Sequence, residues 1–364
     1  RFDTHATESL ADGTCPDGSV LRPRDELAAL EALCRTPEGK LRRGHERIDL
    51  ARERARSLGW SNIYTYTKAV GEQLLAERSD IELVVVRPAI VECAEHYPFP
   101  GWNEGINTAG PIVALLSTSF TRLPSKPQQP FGVVPVDMVC RGITLALSAT
   151  LLGRAEPVYQ LATCDVNPLT FGRVLDLNGL AIKRYRRKHG ASAWERYTAW
   201  TDNTTGDWGE GGLGAPTTLR TVAMRLREAL DEVDLGTLPG PVRALVRQPL
   251  QERIDSARKS LKKTQRDMHR AQRVLDTYKP FIWDTHWTFR TDHVRALSQA
   301  LHPSDAAHRY GVMALDWRDY WVNVEYPGLA TWCFPLLEGD EVPEDVGPTV
   351  RLEPPALAAL ESAG

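Results

Sequence analysis

The sequence predicts an α/β fold with a buried parallel sheet, continued into a mostly helical C-terminal block. Three stretches predict it. An amphipathic segment runs at once into the β-branched "IELVVVRPAIV" at 81–91, a second pairing of strand and helix lies in "GVVPVDMVCRGITLALSATLL" at 132–152, and an aromatic-rich helical pattern covers 281–334.

Residues 1–40 are polar and rich in turn formers, as in "ADGTCPDGSVLRPRDE", and are expected to form loops. A helical pattern follows from about Leu41 to Leu58, with Gly59 placed as its C-terminal cap. Ser61 or Asn62 caps the next helix, which carries Ala69, Leu74 and Leu75 toward a core and fades into "AERSD". The run after Asp80, with Pro88 inside it, reads as a strand buried on both faces. In the second pairing a short strand ends at Pro135 and Asp137 caps a helix. "VYQLAT" gives another short strand and "NPLTFGRVLDL" another helix start.

Beyond Leu180 the character changes to a basic run, "KRYRRKHG", and a glycine-rich loop, "TGDWGEGGLGAPT". A long charged segment follows, in which Ile254, Leu261, Met268 and Leu275 recur every seventh residue. That spacing predicts a long helix with one apolar seam, packed on its own domain or offered to a partner helix or an anionic lipid surface. The tail after 336 reads as loose. The expected domains are therefore 1–180, a linker and long basic helix over 181–280, a helical unit over 281–336, and the tail 337–364.

The chain has 364 residues, 42% of them apolar, and a formal net charge of -3, so it is globular and carries no global field directed at nucleic acid. Six widely spaced cysteines, at 15, 34, 93, 140, 164 and 333, form no C-x-x-C unit and argue against a zinc site or a disulfide framework. No metal is expected, since the histidines are scattered without ligand spacing. No apolar run approaches the roughly 18 residues of a membrane span. A cytoplasmic location, at most peripheral to a membrane, is the expectation. The tryptophans near the C-terminus read as core, not as a base-stacking platform.

One tyrosine, Tyr64 in "SNIYTYTKAVGEQLL", has a lysine four positions later, Lys68. On a helix the pair shares one face, and an ammonium beside a phenol favours the phenolate. Such a phenol is a usable proton donor to the oxyanion that develops when a nicotinamide cofactor reduces a carbonyl, and the lysine can hydrogen-bond the cofactor ribose. The spacing alone is weak evidence, arising by chance roughly once in a few hundred residues. Pro88 can end its strand at the mouth of the sheet, where open α/β folds bind ligands.

Taken in order, "GWSNIYTYTKAVGEQLL", "VVVRPAIVECAEHYPFPGWNEGIN" and "GVVPVDMVCRGITLAL" resemble the fatty acyl-CoA reductases, a branch of the extended short-chain dehydrogenases/reductases. The resemblance is continuous over about 41–175 and resumes at "WTFRTDHVRALSQAL" and "LDWRDYWVNVEYPGL", which are similar to that family's C-terminal helical domain. It implies the second half of a doubly wound Rossmann-type sheet followed by a helical domain. It also implies Tyr64 as general acid, Lys68 as its partner and ribose ligand, Pro88, Ala89, Ile90 and Val91 bordering the nicotinamide, and Gly101 and Trp102 near the acyl entrance. The implied cofactor is NADPH. The implied substrate is a long-chain fatty acyl-CoA, reduced to the aldehyde and in many members to the primary alcohol.

The family's glycine-rich pyrophosphate turn and its catalytic serine or threonine, both expected upstream of the tyrosine, find no counterpart before Tyr64. With Arg1 at its start, the chain reads as a piece cut within the dinucleotide-binding domain and inactive alone. Gly209, Gly211 and Gly214 satisfy G-x-G-x-x-G literally but follow no apolar strand, so a loop is expected there. The run from Lys183 to Lys188 is either a solvated helix face or a contact for coenzyme A phosphates. Two other readings stay open: a reductase of this fold acting on another carbonyl or a carrier-bound thioester, and an inactive remnant serving as a binding module.

Overall fold

The computed structural model of the protein describes residues 4–106, 109–118, 120, 122–190, 202–207, 221–226, 228, 240–284 and 287–343. The literal G-x-G-x-x-G at 209–214 and most of the tail, from 344, lie outside the described residues.

The N-terminal stretch is more ordered than its composition suggests. Strand β1 (Thr4–Ala6) pairs in parallel with Trp287–Phe289, and helix α1 (Pro23–Leu33) replaces the expected loop. Pro23 sits in the first turn, where its missing N–H costs nothing, and Asp25 and Glu26 complement the helix N-terminus. Helix α2 (Gly44–Ser57) ends as expected at Gly59, whose φ of +83° puts it in the left-handed region. A Cβ at Gly59 would stand 2.7 Å from the Asp17 amide nitrogen, so the turn admits only glycine. Helix α3 (Ile63–Ala76) is capped by Asn62, whose Oδ1 accepts the Thr65 N–H at 2.8 Å.

These three helices enclose a small core of Cys15, Leu21, Ala55, Tyr66 and Val70, with Ala69 and Leu74 packed against it. Leu75 does not join them and is 48% exposed. Helical phase explains this, because Tyr66 and Val70 define the inward face and Leu75 falls outside it.

Strand β2 (Val85–Pro88) runs parallel to Val158–Leu161, and strand β3 (Ile90–Glu92) runs parallel to Val133–Pro135. The chain changes partner at Ala89. Its N–H donates to Leu161 O at 2.9 Å, and the next, that of Ile90, to Gly132 O at 2.9 Å. Strands β4 (Arg122–Pro124), β5 (Val133–Pro135) and β6 (Val158–Leu161) follow, with helix α5 (Val136–Leu151) between the last two and α4 (Gly110–Leu116) before β4. β5 and β6 are fully buried, whereas β2 is only half-buried. Val84 and Val86 pack into a core with Met138, Val139, Leu145, Tyr159 and Leu161, but Arg87 points toward α3 and Pro88 is exposed, so burial on both faces fails for β2.

A second, larger core joins residues 93–182 to 275–333. Helix α6 (Phe171–Lys188), capped by the Thr170 hydroxyl, lies across it, and β7 (Thr204–Gly206) pairs with β4. The long helix α7 (Gly240–Ile282) keeps the sevenfold seam. Ile254, Met268, Leu275 and Ile282 are buried and Leu261 is half-buried, and Leu275 and Ile282 enter the second core. The apolar seam is thus a packed face of this chain.

After β8 (Trp287–Phe289) and α8 (Asp292–Ala300), a short helix α9 (Trp317–Asp319) opens on Asp316, whose Oδ1 accepts the Arg318 N–H at 2.8 Å. It continues through a π-helical segment, Tyr320–Glu325, into α10 (Tyr326–Trp332) and α11 (Phe334–Glu338). Among the described residues this block has no core of its own. Trp321 is fully buried against Phe131, and Trp317 Nε1 donates to Asn167 O at 3.1 Å while Asn167 Nδ2 reaches Val312 O and Leu315 O.

Candidate active site

Tyr64 and Lys68 project from the same exposed face of α3. Tyr64 is 61% exposed, and the Lys68 ammonium lies over its ring, 5.7 Å from the centroid. Phe281, at the end of α7, meets the Tyr64 ring edge-on with centroids 6.3 Å apart. Neither the phenol oxygen nor the ammonium hydrogen-bonds another described residue, so both keep their donors for a ligand.

The neighbouring Tyr66 is the opposite case. It is fully buried, and its hydroxyl donates to Glu26 Oε2 at 2.6 Å, where Arg54 Nε also donates at 3.0 Å. Burial and the Glu26 carboxylate push the Tyr66 phenol well above its ordinary value. It is a structural tyrosine.

A clasp missed in the sequence fixes α3 to the sheet. Arg87 Nε donates to Glu72 Oε2 at 3.0 Å, Arg87 Nη2 pairs with Glu72 Oε1, and the same nitrogen reaches Ser9 O at 3.1 Å. Glu72 is one turn beyond Lys68 and Arg87 immediately precedes Pro88, so the Tyr64–Lys68 helix and the strand predicted to border a nicotinamide are held by a bidentate ion pair. Pro88 is exposed at the end of β2. Ala89 packs near Gly132, Ile90 packs against the second core and Val91 against the sheet core.

Asp137 does not cap its own helix. Pro135 is the cap residue, and the Asp137 carboxylate instead accepts the amides of Glu95 at 2.9 Å and of His96 at 3.1 Å, and, at 3.4 Å, that of Tyr97. This holds the loop that leaves β3. The loop closes through Gly101 N–H to Ala94 O and Ala94 N–H to Trp102 O, each 2.9 Å. Gly101 itself, at φ +83°, is buried against the C-terminal block, where a Cβ would lie 3.1 Å from Val324 O. Trp102 is half-buried beside it.

The basic run on α6 is partly engaged by the protein. Lys183 pairs with Asp202 at 2.7 Å, Arg186 Nη2 donates to Ser117 O at 2.5 Å, and Tyr185 stacks on His189. Among the described residues no group of three or more His, Cys, Asp or Glu side chains is placed to hold a metal ion, and no helix is long and apolar enough to cross a membrane.

Residues 16–143 match the male sterility protein family of NAD-binding domains. The chloroplastic fatty acyl-CoA reductase 2 of Arabidopsis thaliana is 26% identical over 339 residues, 90% of this chain and 50% of that protein. The chain is thus similar in sequence to fatty acyl-CoA reductases. The alcohol-forming fatty acyl-CoA reductase of Simmondsia chinensis is 36% identical over 125 residues, 33% of this chain and 25% of that protein. Fatty acyl-CoA reductase 2 of Homo sapiens is 32% identical over 120 residues, 32% of this chain and 23% of the relative. The chain therefore spans from about a quarter to half the length of the curated relatives it matches. The NAD-binding family, with the mixed α/β fold and short parallel strands, supports a nicotinamide cofactor and oxidoreductase chemistry. The α3 residues fit such a group in kind: an unengaged phenol and an unengaged ammonium share one face, beside a strand end tied to their helix.

Proposed function

We propose that this chain is part of a longer enzyme that reduces long-chain fatty acyl-CoA with NADPH, giving the aldehyde, the primary alcohol, or both. The observation that carries the reading is the exposed Tyr64–Lys68 face inside the stretch that matches the male sterility family of NAD-binding domains. The names of the relatives supply the substrate class, and the alcohol-forming relative supplies the further reduction. In this reading the chain contributes the second half of a doubly wound sheet, with 281–336 as the C-terminal helical domain.

Bound nicotinamide supplies hydride to the thioester carbonyl carbon. The Tyr64 hydroxyl donates its proton to the carbonyl oxygen, and the Lys68 charge over the ring stabilises the phenolate left behind. Lys68 has three N–H donors with which to hold the ribose. Pro88, Ala89, Ile90 and Val91 form the apolar border of the nicotinamide, kept in register with Tyr64 by the Glu72–Arg87 clasp. The protonated product is a hemithioacetal, and its C–S bond breaks as the hydroxyl proton passes to the leaving coenzyme A thiolate. Gly101 and Trp102 lie at the acyl entrance, on the loop that Asp137 anchors.

Tyr64→Phe in the full-length protein tests the proposal by NADPH oxidation with an acyl-CoA substrate. Turnover should fall by roughly 10²-fold or more, the contribution of a positioned general acid. Turnover within about threefold of wild type, less than such an acid contributes, would remove Tyr64 from the mechanism.

A further inference from the structure

The Tyr64 hydroxyl keeps its donor for a ligand, but its ring is met from outside its own helix. Tyr64 stands in the first turn of α3 and is 61% exposed. At such a surface position the helix leaves a tyrosine more than one staggered χ1 well. The Lys68 ammonium over the ring does not settle the choice, because an exposed lysine carries ample rotamer freedom of its own. The Phe281 ring does settle it. Its plane stands at 74° to that of Tyr64 with the centroids 6.3 Å apart, the edge-to-face arrangement that aromatic pairs prefer.

Phe281 is a fixed reference because the end of α7 is anchored. Leu275, Tyr278 and Ile282 share one face of α7 and pack in the second core. Phe281 lies on the flank of that face, 36% exposed, where it meets α3. The helix closes just beyond it: the Trp283 and Asp284 N–H groups donate to Lys279 O at 3.0 and 3.2 Å, and Lys279 Nζ pairs with Asp284 at 2.8 Å. The Lys126 ammonium, two residues after β4, lies over the Trp283 ring, 5.5 Å from its centroid.

We propose that Phe281 is a positioning residue of the site: from the anchored end of α7 it selects the Tyr64 rotamer that presents the hydroxyl, beside Lys68, to the carbonyl oxygen. The inference rests on the reductase reading of Tyr64. It gives the long helix a task beyond its packed seam, since this one ring carries the position of the second core to the proton donor. A positioned donor is sensitive to small displacements, and an error of about 1 Å can cost about 10²-fold in rate. An aromatic edge contact is strong enough to change the population of the productive rotamer about 2- to 10-fold.

The test compares the full-length protein with Phe281→Ala, with Phe281→Leu, which keeps apolar bulk without a ring, and with Phe281→Tyr, which keeps the ring. Turnover of acyl-CoA with NADPH should fall about 2- to 10-fold in the first two, kcat and kcat/KM falling together, and return in Phe281→Tyr. In the Tyr64→Phe background Phe281→Leu should remove nothing further, since the two residues act as one unit. A second readout needs no cofactor: in protein carrying ring-labelled tyrosine, the NMR signal that Tyr64→Phe deletes should move in Phe281→Leu. Should Phe281→Ala unfold the end of α7, Phe281→Leu carries the test alone. Wild-type turnover in Phe281→Leu, or an unmoved Tyr64 signal, with Tyr64→Phe inactive, would overturn the positioning role and leave the reductase reading standing. Losses that multiply in the double variant would also overturn it, because they put the effect of Phe281 elsewhere than at the tyrosine hydroxyl. Turnover retained by Tyr64→Phe ends the reductase reading, and the positioning role with it.

Discussion

Tyr66→Phe and Tyr64→Phe remove the same atom two residues apart and should have opposite consequences. At Tyr66 the hydroxyl is buried and donates to the Glu26 carboxylate at 2.6 Å. A hydrogen bond to a charged group contributes about 1.5–3 kcal/mol, and the Phe variant leaves Glu26 paired with Arg54 but short of one donor, so a loss of about 2 kcal/mol is expected. At Tyr64 the hydroxyl faces solvent without a described partner, so the change should stay within about 0.5 kcal/mol. Urea unfolding by linear extrapolation measures both, with m unchanged as the control that the denatured state is the same. Acid conditions give a second readout. Burial alone would raise Glu26, but hydrogen bonds from Arg54 and Tyr66 outweigh it and hold the carboxyl below its ordinary value of 4.5. That contribution is present above the ordinary value and is lost as pH falls through the folded-state value, so Tyr66→Phe should show a shallower acid-side loss than wild type. Equal stability losses at the two positions, or none at Tyr66, would refute the assignment of a structural and a surface tyrosine.

Gly328→Ala should be severe for its size, because the new Cβ would stand 2.4 Å from Gly101 O and 2.9 Å from Gly101 Cα, both backbone. A loss of about 3 kcal/mol or more by thermal or urea unfolding is expected, against a gain of about 0.5–1 kcal/mol for Gly71→Ala in the interior of α3, where nothing stands within 4 Å. Asp137→Ala removes the acceptor of three loop amides and should cost about 2 kcal/mol, with faster hydrogen exchange confined to Glu95, His96 and Tyr97. Arg87→Met breaks the clasp to Glu72 and Ser9. It should lower turnover of the full-length protein more than it lowers stability, since what it loosens is the placement of α3 on β2.

What the sequence made legible was local. The caps at Asn62 and Gly59, the strand ends at Pro88 and Pro135, and the seven-residue seam of α7 are all consequences of neighbours within one or two turns, and each is found where its pattern put it. Helix α1 was hidden by the turn formers on either side of it, although Leu27, Leu30 and Leu33 lie among helix formers within it. Its buried side chains are Pro23 and Glu26, and only the remote Arg54 and Tyr66 give Glu26 a reason to be inside. Asp137 misled for a related reason. A carboxylate in a helix's first turn satisfies the capping rule whether it serves its own helix or, as here, the loop that crosses above it. Tyr64 and Lys68 were singled out by spacing, while the Glu72–Arg87 clasp that fixes their helix to the sheet has no spacing to read.

The C-terminal block makes the limit sharper. Trp317 and Trp321 are core as read, whereas Trp287 is 48% exposed and Trp283 half-buried, and a core of whose residues is a question that periodicity does not address. Trp321 packs on Phe131, Trp317 reaches Asn167, Gly328 meets Gly101 and Glu325 meets Glu92. All four partners precede the long helix α7, so the chain returns across about 150 residues or more to close the core it began. A block that completes another segment's core can be neither folded nor displaced independently of it. Whatever moves the π-helical segment therefore also moves the end of β3 and the Gly101–Trp102 turn, which couples the proposed acyl entrance to the strand proposed to border the nicotinamide.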